Sequence, residues 1–140
     1  MHYVKLPRRL AAAFVDGLIL VFGFGFAIAA LLGRASVTAS GAEFQLDGVQ
    51  ALTLFASWFL YFVVFEATLG ATIGKLLFGA RVRTADGAQI GWMAALVRNL
   101  LRVVDVCFGF VGLLLIWISP RRQRLGDFAA GTIVVLPSQS

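Results

Sequence analysis

The feature that most limits what this chain can fold into is an apolar run, Leu10 to Leu32, with Arg9 at its head and one acid, Asp16, inside it. Its 23 residues reach about 35 Å as a helix, enough to cross the roughly 30 Å hydrocarbon core of a bilayer. A carboxylate at the centre of such a span costs about 2.5 to 3.5 kcal/mol on insertion scales, and less near the interface, so Asp16 needs a partner.

Two further apolar stretches follow. Val49 to Leu69 is span-length and is interrupted only by Glu66 near its end, whereas Met93 to Ile118 carries Arg98, Arg102 and Asp105 in its first half. With 60% hydrophobic residues, 14% charged residues and a mean hydropathy of +0.90, the chain exceeds what a soluble domain carries. Residues 1–140 read as a single membrane domain.

The net charge of +5 comes from bases that flank the apolar runs: Lys5, Arg8 and Arg9 before the first, Arg121, Arg122 and Arg124 after the third. That placement reads as a topology signal and argues against nucleic acid as a partner. Lone Cys107 and lone His2 offer neither an intrachain disulfide nor a zinc site, so no metal or cofactor is expected. No Ser or Cys has an evident His base, so no catalytic residues are assigned and the chain is expected not to be an enzyme. Gly70-x-x-x-Gly74-Lys75 falls short of a phosphate loop, having three residues between the glycines and Leu76 after the lysine.

Basic flanks face the cytoplasm, which puts the N-terminus and Gly70 to Gly91 inside and the polar loop Gly33 to Gly48, with Arg34, Glu43 and Asp47, outside. The expected location is the plasma (inner) membrane. Lys5 to Arg9 followed by Ala27-Ile28-Ala29 has the outline of a signal peptide, but the apolar run is too long for that and contains an acid. Within the inner segment, Ala80 to Thr84 and Gln89 to Trp92 flank Asp86-Gly87, a favoured hairpin turn. The β-branched Thr132-Ile133-Val134-Val135 is placed to add a third strand, which requires both termini on one side.

The fold class expected is therefore an all-α membrane protein with two transmembrane helices, a third apolar segment and a small cytoplasmic β-hairpin. The third segment is either a third span or a re-entrant hairpin. A single span would strand Arg121, Arg122 and Arg124 outside, so the favoured form is an amphipathic helix from Met93 to about Val106, a break near Gly109 and a return to Ser119-Pro120.

On that helix Arg98, Arg102 and Asp105 fall at i, i+4 and i+7 along one stripe. Arg9 to Asp16 and Arg98 to Asp105 form a weak repeat, each setting Arg and Asp seven residues apart. Side chains tilt toward a helix N-terminus, so Arg9 is expected to snorkel away from Asp16 to the surface. An intramembrane charge cluster of Asp16, Glu66, Arg98, Arg102 and Asp105 is predicted, in which the arginines neutralise the acids.

Arg9 through Asp16, Gly70-Ala71-Thr72-Ile73-Gly74-Lys75 with Arg81, Asp86-Gly87, Arg98-Asn99-Leu100-Leu101-Arg102 with Asp105, and Arg124-Leu125-Gly126-Asp127-Phe128 through Val135 together resemble the RDD family of integral membrane proteins. The resemblance implies a signature of one arginine and two aspartates, matched here by Arg9, Asp16 and Asp127, with Asp105 the rival for the last. Many members carry His before the third acid, whereas this chain has Gly126. For some members transport has been suggested, including cation/proton antiport, and others accompany partner proteins. The expected role is a membrane adaptor or assembly subunit built around the charge cluster; the alternative is a small oligomeric transporter exchanging a cation or proton. Its expected partners are the bilayer and either a second copy or another membrane protein.

Overall fold

The computed structural model describes residues 2–32, 35–38, 40–44, 48–107 and 111–136. Two helical rods dominate. The first comprises α1 (Leu6–Leu18), a π-helical stretch (Ile19–Gly25) and α2 (Phe26–Leu31). These run on as one apolar helix from Leu6 to Leu31. Pro7 sits in the first turn, where a missing N–H costs nothing. The second rod is α3 (Gly48–Leu69), and both are long and apolar enough to cross a membrane.

Between the rods, β2 (Ala35–Thr38) and β3 (Gly41–Phe44) pair antiparallel, where only a polar loop was expected. Gly70 ends α3 with φ of +66°, a left-handed cap that turns the chain sharply into α4 (Ile73–Leu77). Next come β4 (Arg81–Thr84), α5 (Trp92–Cys107), α6 (Val111–Ile118), α7 (Leu125–Ala129) and β5 (Thr132–Leu136).

The expected hairpin around Asp86-Gly87 is reduced to one bridge between Arg83 and Gln89. The C-terminal run does join, but as the central strand: the antiparallel sheet has the order β1-β5-β4, with β1 formed by His2–Tyr3. Arg81 pairs with Val135 and Thr84 with Thr132, while Tyr3 also faces Val135. Arg83 carries Gln89 on one edge of β4 and Ile133 of β5 on the other, and the β-branched run supplies the longer pairing.

This sheet has a topological consequence. Strand β1 precedes the first rod, β4 follows the second and β5 follows α6, so all three strands lie at the same end of the two rods. Beneath the sheet Val4, Val82, Ile90, Ala95 and Val134 close a small core against Val63 and Ala67 of α3.

Outside that core the helices are inverted relative to a soluble protein. On α5, Trp92, Leu96 and Leu100 face outward while Arg98 and Asn99 are buried. On α1, Leu10, Phe14 and Leu18 are exposed while Asp16 is buried. Polar groups inside and apolar groups outside is the arrangement a bilayer selects.

Candidate functional site

Three buried acids organise the end of the rods nearest the sheet. Asp16, 1% exposed, accepts hydrogen bonds from Tyr61 Oη (2.8 Å), Thr72 Oγ1 (2.6 Å) and the Gly74 amide (2.8 Å). Thr72 and Gly74 come from the N-terminal turn of α4, which the Gly70 cap delivers against α1. A Cβ on Gly74 would fall 2.8 Å from the Asp16 carboxyl carbon and closer still to the Ala12 carbonyl. Glycine is thus the residue that lets α4 reach the acid.

Glu66 is fully buried and meets the Arg98 guanidinium at 2.9 Å, Asn99 Nδ2 at 2.9 Å and the Lys75 ammonium, with Arg102 at 4.0 Å. Arg102 also stacks over the Phe62 ring, 3.7 Å from its centroid. Asp127, fully buried at the start of α7, pairs with Arg9 (2.8 Å), Arg98 (2.9 Å) and Arg124 (3.5 Å). Its carboxylate also accepts from the Arg124 amide.

Arg98 is the hub. Its Nε faces Glu66 and its Nη2 faces Asp127, while Nη1 donates to Thr132 Oγ1 at 3.0 Å. One guanidinium therefore ties α3, α7 and β5 to α5. The flat fork of arginine has the donor geometry for this; a lysine has not.

Burial pulls the Lys75 ammonium down to about 7, with the Glu66 carboxylate opposing the shift. At Asp127 burial would raise the carboxyl, but Arg98, Arg124 and Arg9 outweigh it and hold it below the usual carboxylate range.

The predicted cluster is thereby brought together in part. Glu66, Arg98 and Arg102 meet as expected, but Asp16 forms no ion pair with either arginine. Its partners are two hydroxyls and an amide, because α4, and not α5, packs against α1. Asp105 also stands apart: its two carboxylate oxygens are buried and meet no hydrogen-bond donor among the described residues. Arg9 does turn away from Asp16, but it is mostly buried on Asp127 and does not snorkel outward. The two arginines of the weak repeat, Arg9 and Arg98, converge on that one acid.

Tyr61, Thr72, Lys75 and Asn99 complete the site and were not foreseen. Asn99 borders the polar stripe and Lys75 stands in a glycine-flanked segment, so both were visible as residues without being visible as partners. Among the described residues no three His, Cys, Asp or Glu side chains come together to hold a metal ion.

A model of the RDD family matches residues 3–131, a stretch that contains every charged residue of this network. The chain belongs to the RDD family. Curated relatives include the proline-rich antigen homologs of two Mycobacterium tuberculosis strains, CDC 1551 / Oshkosh and ATCC 25618 / H37Rv, each 26% identical over 95% of this chain. The chain spans 63% of the length of those relatives. No solved structure matches it.

Within this RDD chain Gly126, at the position where the resemblance led to the expectation of His, leaves little room for a side chain. A Cβ there would lie 3.2 Å from Arg98 Cα and nearer to the Arg98 carbonyl oxygen. Backbone packs on backbone at that point, and this is what sets Asp127 within reach of Arg98.

Proposed function

We propose that this RDD protein is a membrane adaptor or assembly subunit, non-catalytic, in which the buried charges hold an architecture and do not move an ion. The observation that carries this reading is Arg98, 1% exposed, shared between Glu66 and Asp127. Charges so consumed by one another, and desolvated together, are costly to separate: removing one partner of a buried pair typically costs about 3 to 5 kcal/mol. The far half of the first rod, Leu18 to Leu32, holds no ionisable side chain with which to continue a pathway.

The fold supports two spans with α5 and α6 as a re-entrant pair. A single crossing between Trp92 and Ile118 would carry β5 to the opposite side of the bilayer from β4, with which it pairs. Neither α5, with 16 residues, nor α6, with 8, is long enough to span alone. The break expected near Gly109 lies outside the described residues. By the positive-inside bias, both termini and the sheet face the cytoplasm, and the membrane is the plasma (inner) membrane. The exposed face of α1, with Phe14 68% exposed, is where a second copy or another membrane protein docks.

A second reading, a small oligomeric exchanger of cations or protons, is favoured by one observation: Asp16 is a buried acid with no cationic partner among the described residues and lies on the wall of a cleft. Flux in proteoliposomes under a pH or cation gradient separates the two. The adaptor reading expects no flux from folded protein, together with one discrete product when a photo-crosslinker replaces Phe14 in native membranes. Gradient-driven flux that Asp16→Asn abolishes without unfolding the protein overturns it.

A further inference from the structure

Beside the ion pairs is a cleft of about 120 Å³ walled by α1, α5, α6 and the Arg124 segment. Arg9, Lys75, Arg98, Arg102 and Arg124 all line it, and among the described residues Asp16 is the one acid on its wall. Among the described residues these five basic side chains face four acids, Asp16, Glu66, Asp127 and Asp105 of α5, an excess of one when Lys75 is protonated.

The donors are as unbalanced as the charge. Arg9 Nε and Nη2, Arg102 Nη1 and Arg124 Nη2 are buried nitrogens with no hydrogen-bond acceptor among the described residues. Native proteins rarely leave buried donors unmatched, and an unmet charged donor costs more than a neutral one. These nitrogens belong to three guanidinium groups from three different segments, and all three line the one cleft. Glu66 and Asp127 beside them are already engaged by Arg98, Lys75 and Asn99, and Asp105, whose two oxygens meet no donor among the described residues, is one carboxylate against three guanidinium groups.

We propose that this cleft is an anion site that takes a phosphate group. Phosphate offers several acceptor oxygens on one centre, and the guanidinium fork matches it in a bidentate manner. The volume is of the order of the roughly 150 Å³ cavity that admits benzene, which is room for one such group and not for a nucleotide. Leu6, Arg9, Leu10 and Ala13 of the lining are the first turns of α1, the end of a span, at the depth of lipid headgroups. The site lies beyond the adaptor reading and stands or falls separately from it.

The test is thermal unfolding of the purified chain at constant ionic strength with two probes: inorganic phosphate against chloride in detergent, and phosphatidylglycerol against phosphatidylcholine nanodiscs. A rise in Tm of at least about 3 °C is expected with one probe or both. A rise in nanodiscs alone assigns a lipid headgroup, and a rise in detergent assigns free phosphate. The rise should vanish in Arg102→Gln/Arg124→Gln and persist in Arg8→Gln/Arg121→Gln, which removes an equal charge from two exposed positions. Should the double variant not fold, phosphorus NMR line-broadening on the wild-type chain decides, chloride-insensitive broadening being expected. No shift and no broadening with either probe, or a shift equal in the double variant, overturns the site.

Discussion

Arg98 and Asp127 meet at 2.9 Å across 29 positions of sequence, and their pairing closes the excursion made by α5 and α6. The chain leaves the charged layer at one of these residues and regains it at the other. Substitution of Arg98 by Met is expected to be the most damaging single change, costing about 3 to 5 kcal/mol because Glu66 and Asp127 both lose a buried partner. Folded yield by fluorescence-detected size exclusion reads this. Arg98→Lys should not rescue it, since one ammonium cannot face both acids and Thr132; full recovery with lysine would refute the shared fork.

Asp16 should respond to shape and acceptor number more than to nearby charge. Asp16→Asn keeps an acceptor oxygen and is expected to lower Tm modestly, whereas Asp16→Leu leaves the Tyr61 and Thr72 hydroxyls and the Gly74 amide unmatched, at about 1 to 3 kcal/mol each. Thermal unfolding in detergent measures the order. If Asn and Leu prove equally destabilising, the three hydrogen bonds are not what holds the acid.

Two glycines are expected to reject a methyl group. Gly74→Ala pushes α4 off α1, and Gly126→Ala pushes α7 off α5, because in each case the nearest atom is backbone and has no rotamer to yield. Overpacking of this kind costs about 1 to 3 kcal/mol. Gly23→Ala, where a Cβ meets nothing within 4 Å, serves as the control. Equal stability of all three variants would contradict the close approach.

The pH profile follows from Lys75 and Asp127. Lys75 is lowered to about 7 from an ordinary 10.5, so between those values the unfolded chain holds a proton that the folded chain lacks. Stability should therefore rise with pH across that window, and Lys75→Met should remove the rise. Asp127 is held below its ordinary range, so its contribution is complete above about pH 4 and fades as pH falls further. Tm measured from acid to alkaline pH in wild type and Lys75→Met checks both limbs, and an unchanged alkaline limb in Lys75→Met would count against the assignment.

Apolar length made the two rods legible in the sequence, and the i, i+4 spacing of Arg98 and Arg102 located the charged face of α5. The run Thr132 to Val135 was legible as a strand because β-branched residues have few other uses before a proline. What escaped was pairing across elements. Asp16 looked like a charge in search of a charge, yet hydroxyls of Tyr61 and Thr72 and a backbone amide suffice, and none of these stands out in an apolar or glycine-rich string. Arg9 was assigned to the surface from its place at a helix start, but the return of Asp127 from 118 residues away covers it. The pairing of β2 with β3 was likewise invisible, since its short strands carry no long alternation to read.

The most direct test of the architecture is sidedness. In a Cys107→Ser background, single cysteines at Lys5, Ser40 and Arg121 are labelled with an impermeant maleimide in sealed right-side-out and inverted vesicles. The pairing of β1, β5 and β4 in one sheet requires Lys5 and Arg121 to label from the same side and Ser40 from the other. Labelling of Arg121 from the side of Ser40 would mean that the segment from 93 to 118 crosses the membrane once, and the sheet, the Arg98–Asp127 closure and the network built on them would all be contradicted.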